Sequence, residues 1–234
     1  MIVCDSRNEG KLTELAENLG AIVDTLNADG GGLLMEAARV MPESFSTVSR
    51  TADDLAAFLY TSGTTGRSKG AMLTQNNLLS NATILAHEWQ FTDADVLLHA
   101  LPIFHTHWLF VATNVMLASG GSMVFLPKFD LDAIIAHLPK ATSMMGVPTF
   151  YTRLLSDDRF TSDLNKHMRL FISGSAPLFA ETHIRFEERT GHRILERYGM
   201  TETNMNTSNP YEGERKAGTV GRPLAGVEVK ITDP

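Results

Sequence analysis

An apolar run, Leu55-Ala56-Ala57-Phe58-Leu59, feeds directly into Tyr60-Thr61-Ser62-Gly63-Thr64-Thr65-Gly66-Arg67-Ser68-Lys69-Gly70, and no other stretch constrains the fold so tightly. Glycines at 63, 66 and 70 let the backbone turn sharply and present its N–H groups. The hydroxyls of Thr61, Ser62, Thr64 and Thr65 add donors, and Lys69 adds a cation, so the segment reads as a cradle for polyphosphate. A Walker loop needs Gly before the lysine and Ser or Thr after it. Here Ser68 precedes and Gly70 follows, which excludes that loop. A Ser/Gly-rich solvent loop is the plainer alternative, and the order of residue types argues against it.

Around this loop, short β-rich runs alternate with stretches of helical spacing. The runs are Ile2-Val3-Cys4, Ala21-Ile22-Val23, Leu97-Leu98-His99-Ala100, Met123-Val124-Phe125-Leu126 and Leu170-Phe171-Ile172. Helical spacing covers 9–19, 76–89, 130–138, 147–155 and 179–190. Such alternation predicts an α/β fold with largely parallel sheets and flanking helices. Ile2-Val3-Cys4 reads as a buried strand met mid-domain, and the alternation over 226–231 as a half-buried strand. The stretch 40–53 reads as a surface loop.

The composition narrows the class of function. With 43% hydrophobic residues, 234 residues suffice for a sizeable core, which excludes a disordered chain. A net charge of -7 with scattered Lys and Arg leaves no basic footprint for nucleic acid or an anionic membrane, so the expected partner is a small molecule. The one cysteine, Cys4, cannot form an internal disulfide, which fits a reducing, cytoplasmic setting. No apolar stretch approaches the length of a membrane span, and no export signal is visible.

Two further segments join the loop. These are Ser173-Gly174-Ser175-Ala176-Pro177-Leu178 and Arg197-Tyr198-Gly199-Met200-Thr201-Glu202. In this order the three resemble the signatures of the adenylate-forming superfamily, which holds the acyl-CoA synthetases, 4-coumarate ligases and peptide-synthetase adenylation domains. The resemblance implies part of the large N-terminal domain of that fold, residues 1–234, and a ligase that uses ATP, Mg²⁺ and coenzyme A. It implies that Tyr198 stacks on adenine, that Thr201 meets the α-phosphate and that Glu202 helps hold Mg²⁺. Gly174, Ser175, Ala176 and Pro177, with Gly199, line the nucleotide, while Ser173 and Met200 border the acyl group. Buried core tyrosine, solvated acid and solvated loop lysine are the plainer readings of Tyr198, Glu202 and Lys69.

Leu101-Pro102-Ile103-Phe104-His105-Thr106-His107-Trp108 resembles the acyl-pocket helix of the same superfamily, with His105 beside the site of carboxylate attack. Thr106 and His107 stand where a fatty or coumaroyl pocket is apolar, so the acid is expected to carry a polar far end. Together with the stretches around 144–155 and 197–221, the wording resembles the malonyl-CoA synthetases. On that reading Arg153 is a candidate partner of the distal carboxylate, with a surface arginine on an amphipathic helix as the alternative. The pair His105 and His107 lacks a third ligand at metal spacing. Trp108 stands where the superfamily usually has glycine, which opens the question of acyl size.

The resemblance also implies that a smaller C-terminal domain with a closing lysine, and a ribose-binding Asp, lie beyond this sequence. A ligase for another short or aryl acid, and a catalytically incompetent nucleotide-binding remnant, are the alternatives left open.

Overall fold

The first unit, Met1–Ser49, is a β–α–β arrangement: Ile2–Cys4 (β1), Glu9–Leu19 (α1) and Val23–Thr25 (β2), followed by the short helix Leu33–Ala38 (α2). β1 and β2 pair in parallel. The strand expected at 21–23 starts later because α1 consumes the residues before it. Gly20 closes the helix in the left-handed region at φ 61°, and the N–H of Ala21 still donates to the carbonyl of Ala16. β1 is not the buried strand its sequence suggests, since Val3 is 44% exposed.

The second unit runs from Arg50 onward. This computed structural model describes residues 1–61 and 68–232. Leu55–Thr61 (β3) and Lys69–Thr74 (β4) form an antiparallel pair whose last register partners are Thr61 and Lys69. Helix Gln75–Glu88 (α3) begins at Thr74, whose hydroxyl accepts from the N–H of Asn77 while Asn77 accepts from Thr74, a reciprocal cap. Then follow Val96–His99 (β5), a π-helix over His107–Ala112 that continues as Thr113–Ser119 (α4), Ser122–Phe125 (β6), Leu131–His137 (α5) and Ser143–Gly146 (β7). The unit continues with Pro148–Leu155 (α6), Leu170–Ser173 (β8), Ala180–Thr190 (α7), Leu195–Met200 (β9), Asn204–Ser208 (β10) and Arg222–Pro223 (β11).

The seven-stranded sheet has the order β11-β10-β9-β8-β7-β5-β6. Neighbours from β6 to β9 are parallel, and β10 and β11 are added antiparallel. β7 and β8 are buried along their whole length, which is why they read as continuous apolar runs rather than alternating ones. Against them packs an aromatic cluster of Tyr151, Phe171 and Phe186 with Phe160, ring centroids 4.9–6.4 Å apart. Each such side chain contributes about 1.5–3 kcal/mol by leaving water.

At the N-terminal edge of the same strands, Asp95, Thr142 and Arg169 stand just before β5, β7 and β8 and bond to one another. Their C-terminal ends are thus free for other work.

No strand forms over 226–231. Val229 and Ile231 are 56% and 95% exposed there, because alternation supplies an apolar face but a strand also needs a neighbour for its N–H and C=O groups. The stretch 43–51 is irregular and exposed, as its composition predicts. Among the described residues no helix is long and apolar enough to cross a membrane.

Candidate active site

The C-terminal ends of β5, β7, β8 and β9 open into one cavity of about 640 Å³. Its walls are His105–Trp108 after β5, Val147 after β7, Ser173 and Ser175–Leu178 at and after β8, Glu196–Gly199 on β9, then Thr201, Gly218 and Val220. Open parallel sheets bind ligands at this edge, and the volume suits a nucleotide-sized guest.

Three local devices shape it. The chain widens into a π-helix at His107, a turn that recurs at functional sites, so four consecutive residues from His105 to Trp108 border the cavity. Gly174 is buried behind it, where a Cβ would meet Nη1 of Arg197 at 2.2 Å; the glycine exists to make room for that guanidinium. Gly199 plays the same part for the β9–β10 turn, since a Cβ there would lie 2.0 Å from the carbonyl oxygen of Asn204. Asn204, at φ 55°, closes the turn that carries Thr201 and Glu202, and asparagine is among the few residues that take this conformation readily.

The polar end of the cavity is unusual. Arg197 is 3% exposed, forms no ion pair with an acid among the described residues, and its Nε has no hydrogen-bond partner. Burial pulls the guanidinium down to about 10, which still leaves it cationic at neutral pH. Its Nη1 donates toward Nδ1 of His107 at 3.5 Å, and the Ser175 hydroxyl lies 2.6 Å from the same nitrogen. The other ring nitrogen, Nε2, is buried without a partner. Burial first, then the charges of Arg197 and His105, hold the imidazole down to about 3, so it stays neutral. A buried cation with no acidic partner among the described residues is suited to receive an anion.

Glu196, next along β9, points to different chemistry. One carboxylate oxygen accepts from the N–H of Gly218 at 3.1 Å and lies 3.4 Å from Nδ1 of buried His183. The side chain thereby fixes the Gly218–Val220 wall while presenting an acceptor to the cavity.

The neutral imidazoles make stability depend on acidity. Burial lowers His99 and His192 as it does His107. Below about pH 6.5 the unfolded chain takes up protons that the folded one refuses, so stability is full above that value and is lost as pH falls through it. For His107 alone, going from pH 7 to pH 5 removes on the order of 2 kcal/mol. Urea unfolding is expected to show a lower midpoint at pH 5 with an unchanged m value. An equal or higher midpoint at pH 5 would contradict the burial of these rings.

Of the residues singled out from sequence, His105, Thr106, His107, Ser173, Ser175, Ala176, Pro177, Tyr198, Gly199 and Thr201 all border the cavity. Gly174, Met200 and Glu202 do not, Gly174 lying buried against Arg197 and Glu202 standing exposed on the β9–β10 turn. Thr61 ends β3 and Lys69 begins β4, so the lysine is a strand residue rather than a loop cation. Ser62, Gly63, Thr64, Thr65 and Gly66 lie outside the described residues. Arg153 is not brought to the cavity. α6 turns Phe150, Tyr151, Leu154 and Leu155 inward, which leaves Arg153 exposed over the Phe129 ring at 5.3 Å, the surface placement. Sequence reasoning missed Glu196 and Arg197 as charged groups lining the cavity. The available signal was two adjacent charges inside the apolar strand run from Ile194 to Tyr198.

Comparison with known proteins agrees with this geometry. The profile of the family described as AMP-binding enzyme matches residues 1–234. A malonate–CoA ligase of Arabidopsis thaliana is 41% identical over 82% of this chain and 35% of its own length. A mitochondrial malonate–CoA ligase of Xenopus laevis is 36% identical over 98% of this chain and 42% of its own. The crystal structure of ATP-bound MatB from Rhodopseudomonas palustris superposes with a TM-score of 0.96 at 59% identity, covering 99% of this chain and 46% of that one. The chain therefore spans less than half the length of each of these three relatives.

Proposed function

The chain belongs to the AMP-binding enzyme family, and from that premise we propose that it is the nucleotide-handling part of an acid–thiol ligase that converts malonate to malonyl-CoA. The observation that carries the malonate reading is the Arg197–His107–Ser175 group, a buried cation without an acidic partner among residues that border the cavity. A dicarboxylate suits it: the Arg197 guanidinium, beside His107, holds the distal carboxylate, and the near one is left facing the nucleotide.

Tyr198 covers the adenine face, and the free acceptor of Glu196 suits the exocyclic amino group of adenine. Thr201 bonds the α-phosphate, with Lys69 and the Thr61–Gly66 segment serving the phosphates. A carboxylate oxygen of malonate attacks the α-phosphorus and pyrophosphate leaves. The coenzyme A thiol, as thiolate, then attacks the acyl carbon and AMP leaves. The protein's share is positioning and charge neutralisation, since little covalent chemistry is asked of it. Mg²⁺ would accompany the ATP phosphates, with Glu202 as the side chain that would help hold it. No cluster of three or more ligating side chains occurs among the described residues, and a cation held chiefly by phosphates needs one or two carboxylates, here Glu202. When bound it would neutralise developing phosphate charge. A cytoplasmic setting rests on the single cysteine alone.

The test exchanges this chain for its matching stretch in the R. palustris enzyme and measures acid-dependent exchange of labelled pyrophosphate into ATP. Malonate is expected to support exchange at least a hundredfold better than butyrate, whose terminal methyl leaves Arg197 and His107 unpaired. Comparable rates with the two acids would end the malonate reading and leave the family untouched.

A further inference from the structure

We infer that Trp108 sets which substituents the acid may carry on the carbon between its two carboxylates, and that it does so as a side wall rather than as an end stop. The inference rests on the malonate reading above.

Trp108 is 2% exposed, yet it borders the cavity, so its indole is fixed by core packing on one side and meets the guest on the other. The Arg197 guanidinium carbon lies 5.5 Å from the indole centroid, and the His107 ring meets it edge-on at 6.0 Å and 81°. The two groups that receive the distal carboxylate are therefore both braced by this ring. Val147 and Leu178 continue the apolar surface beside it.

A diacid bound here has both ends pinned, one at Arg197 and His107 and the other at the α-phosphate. The length it can span is fixed by those two points. Its middle carbon cannot swing away from the wall, so a branch on that carbon must find room beside the anion pocket, where the indole stands. Removing the indole opens space on the scale of the ~150 Å³ cavities that take up benzene. It leaves the distance between the pinned ends unchanged. Trp108 should thus control branching and not chain length, a distinction that a general loosening of the pocket would not produce.

The experiment measures kcat/KM for malonate, methylmalonate, ethylmalonate and succinate in the exchanged enzyme carrying tryptophan, and in Trp108→Phe, Trp108→Leu and Trp108→Gly. The ratio of methylmalonate to malonate is expected to rise through that series, at least tenfold from tryptophan to glycine. Ethylmalonate should gain more, and the succinate ratio should stay within about twofold. Malonate itself should lose some activity as Arg197 loses its brace. The graded series keeps the result readable if the glycine variant folds poorly. In the 234-residue chain itself, malonate added with ATP should change tryptophan emission saturably, and Trp108→Phe should abolish that change, which packing alone would not predict. Malonate turnover with substrate ratios flat across the four side chains, or a succinate gain matching the methylmalonate gain, overturns the side-wall inference and spares the malonate reading. Failure of the tryptophan enzyme with every diacid, while ATP still binds, overturns the malonate reading itself.

Discussion

Arg197→Leu is expected to lower malonate kcat/KM in the exchanged enzyme by about thirtyfold to several thousandfold, while butyrate use holds or improves. The magnitude follows from truncating one partner of a buried, hydrogen-bonded charge pair, which costs about 2–5 kcal/mol, each 1.4 kcal/mol being tenfold. The effect is asymmetric between acids because butyrate brings no charge to be left unpaired. The same substitution should not destabilise the unliganded protein. Arg197 is a buried cation without an acidic partner among the described residues, and its Nε lacks an acceptor, so the contacts to His107 and Trp108 offset only part of its desolvation cost. Leucine relieves that cost, and the melting temperature should stay level or rise, the pattern of a residue kept for function at the expense of stability. Arg197→Lys keeps the charge but loses the planar fork that meets both Nδ1 of His107 and a carboxylate, and should recover only part of the loss. A large fall in melting temperature with equal losses for malonate and butyrate would make Arg197 a structural residue and move the distal-carboxylate site elsewhere.

How much of this was legible in the sequence depended on whether the signal was local. Helix spacing over 9–19 and 179–190 locates α1 and α7 to within one residue, because amphipathic periodicity coincides there with a left-handed glycine stop at Gly20 and at Gly191. The segments around Ser175 and Tyr198, which the sequence groups as parts of one site, do border the same cavity. Arg197 could not be read that way, because its meaning comes from three distant neighbours. Gly174 clears its space, Trp108 faces its guanidinium, and the His107 ring lies 3.5 Å from its Nη1, at separations no periodicity reports. Arg153 misled for the converse reason: an arginine on an amphipathic helix looks the same from sequence whether it meets a ligand or, as here, lies exposed over a half-buried phenylalanine. The π-helix at His107 is equally silent, since one extra residue in a turn leaves an apolar run apolar. The 226–231 segment shows the remaining limit, that alternation predicts a face but not a pairing partner.

Asp95→Ala is expected to destabilise the protein by about 3–5 kcal/mol, the cost of stranding a buried charge. Asp95 is 3% exposed and receives Nε and Nη2 of Arg169 at 2.6 and 2.7 Å, the Thr142 hydroxyl at 2.6 Å and the N–H of Thr92 at 2.8 Å. Burial alone would raise its carboxyl, and these donors outweigh burial to hold it below the usual range. Arg169 also donates to the carbonyl of Trp89 and lies over the rings of Phe91 and Tyr211 at 4.7 and 5.3 Å. Without Asp95 the guanidinium keeps its position but loses its counter-charge. For a domain of this size the melting temperature should fall by roughly 2–4 °C per kcal/mol, so about 6–20 °C. Replacing both residues with leucine should cost less than either single change, because it strands no charge. Since this knot ties the starts of β5, β7 and β8 while the cavity opens at their ends, the ratio of malonate to butyrate activity in Asp95→Ala should not move at a temperature where the variant is folded. A fall of less than 2 °C, or a changed acid preference, would mean that the two edges of the sheet do not divide stability from recognition in this way.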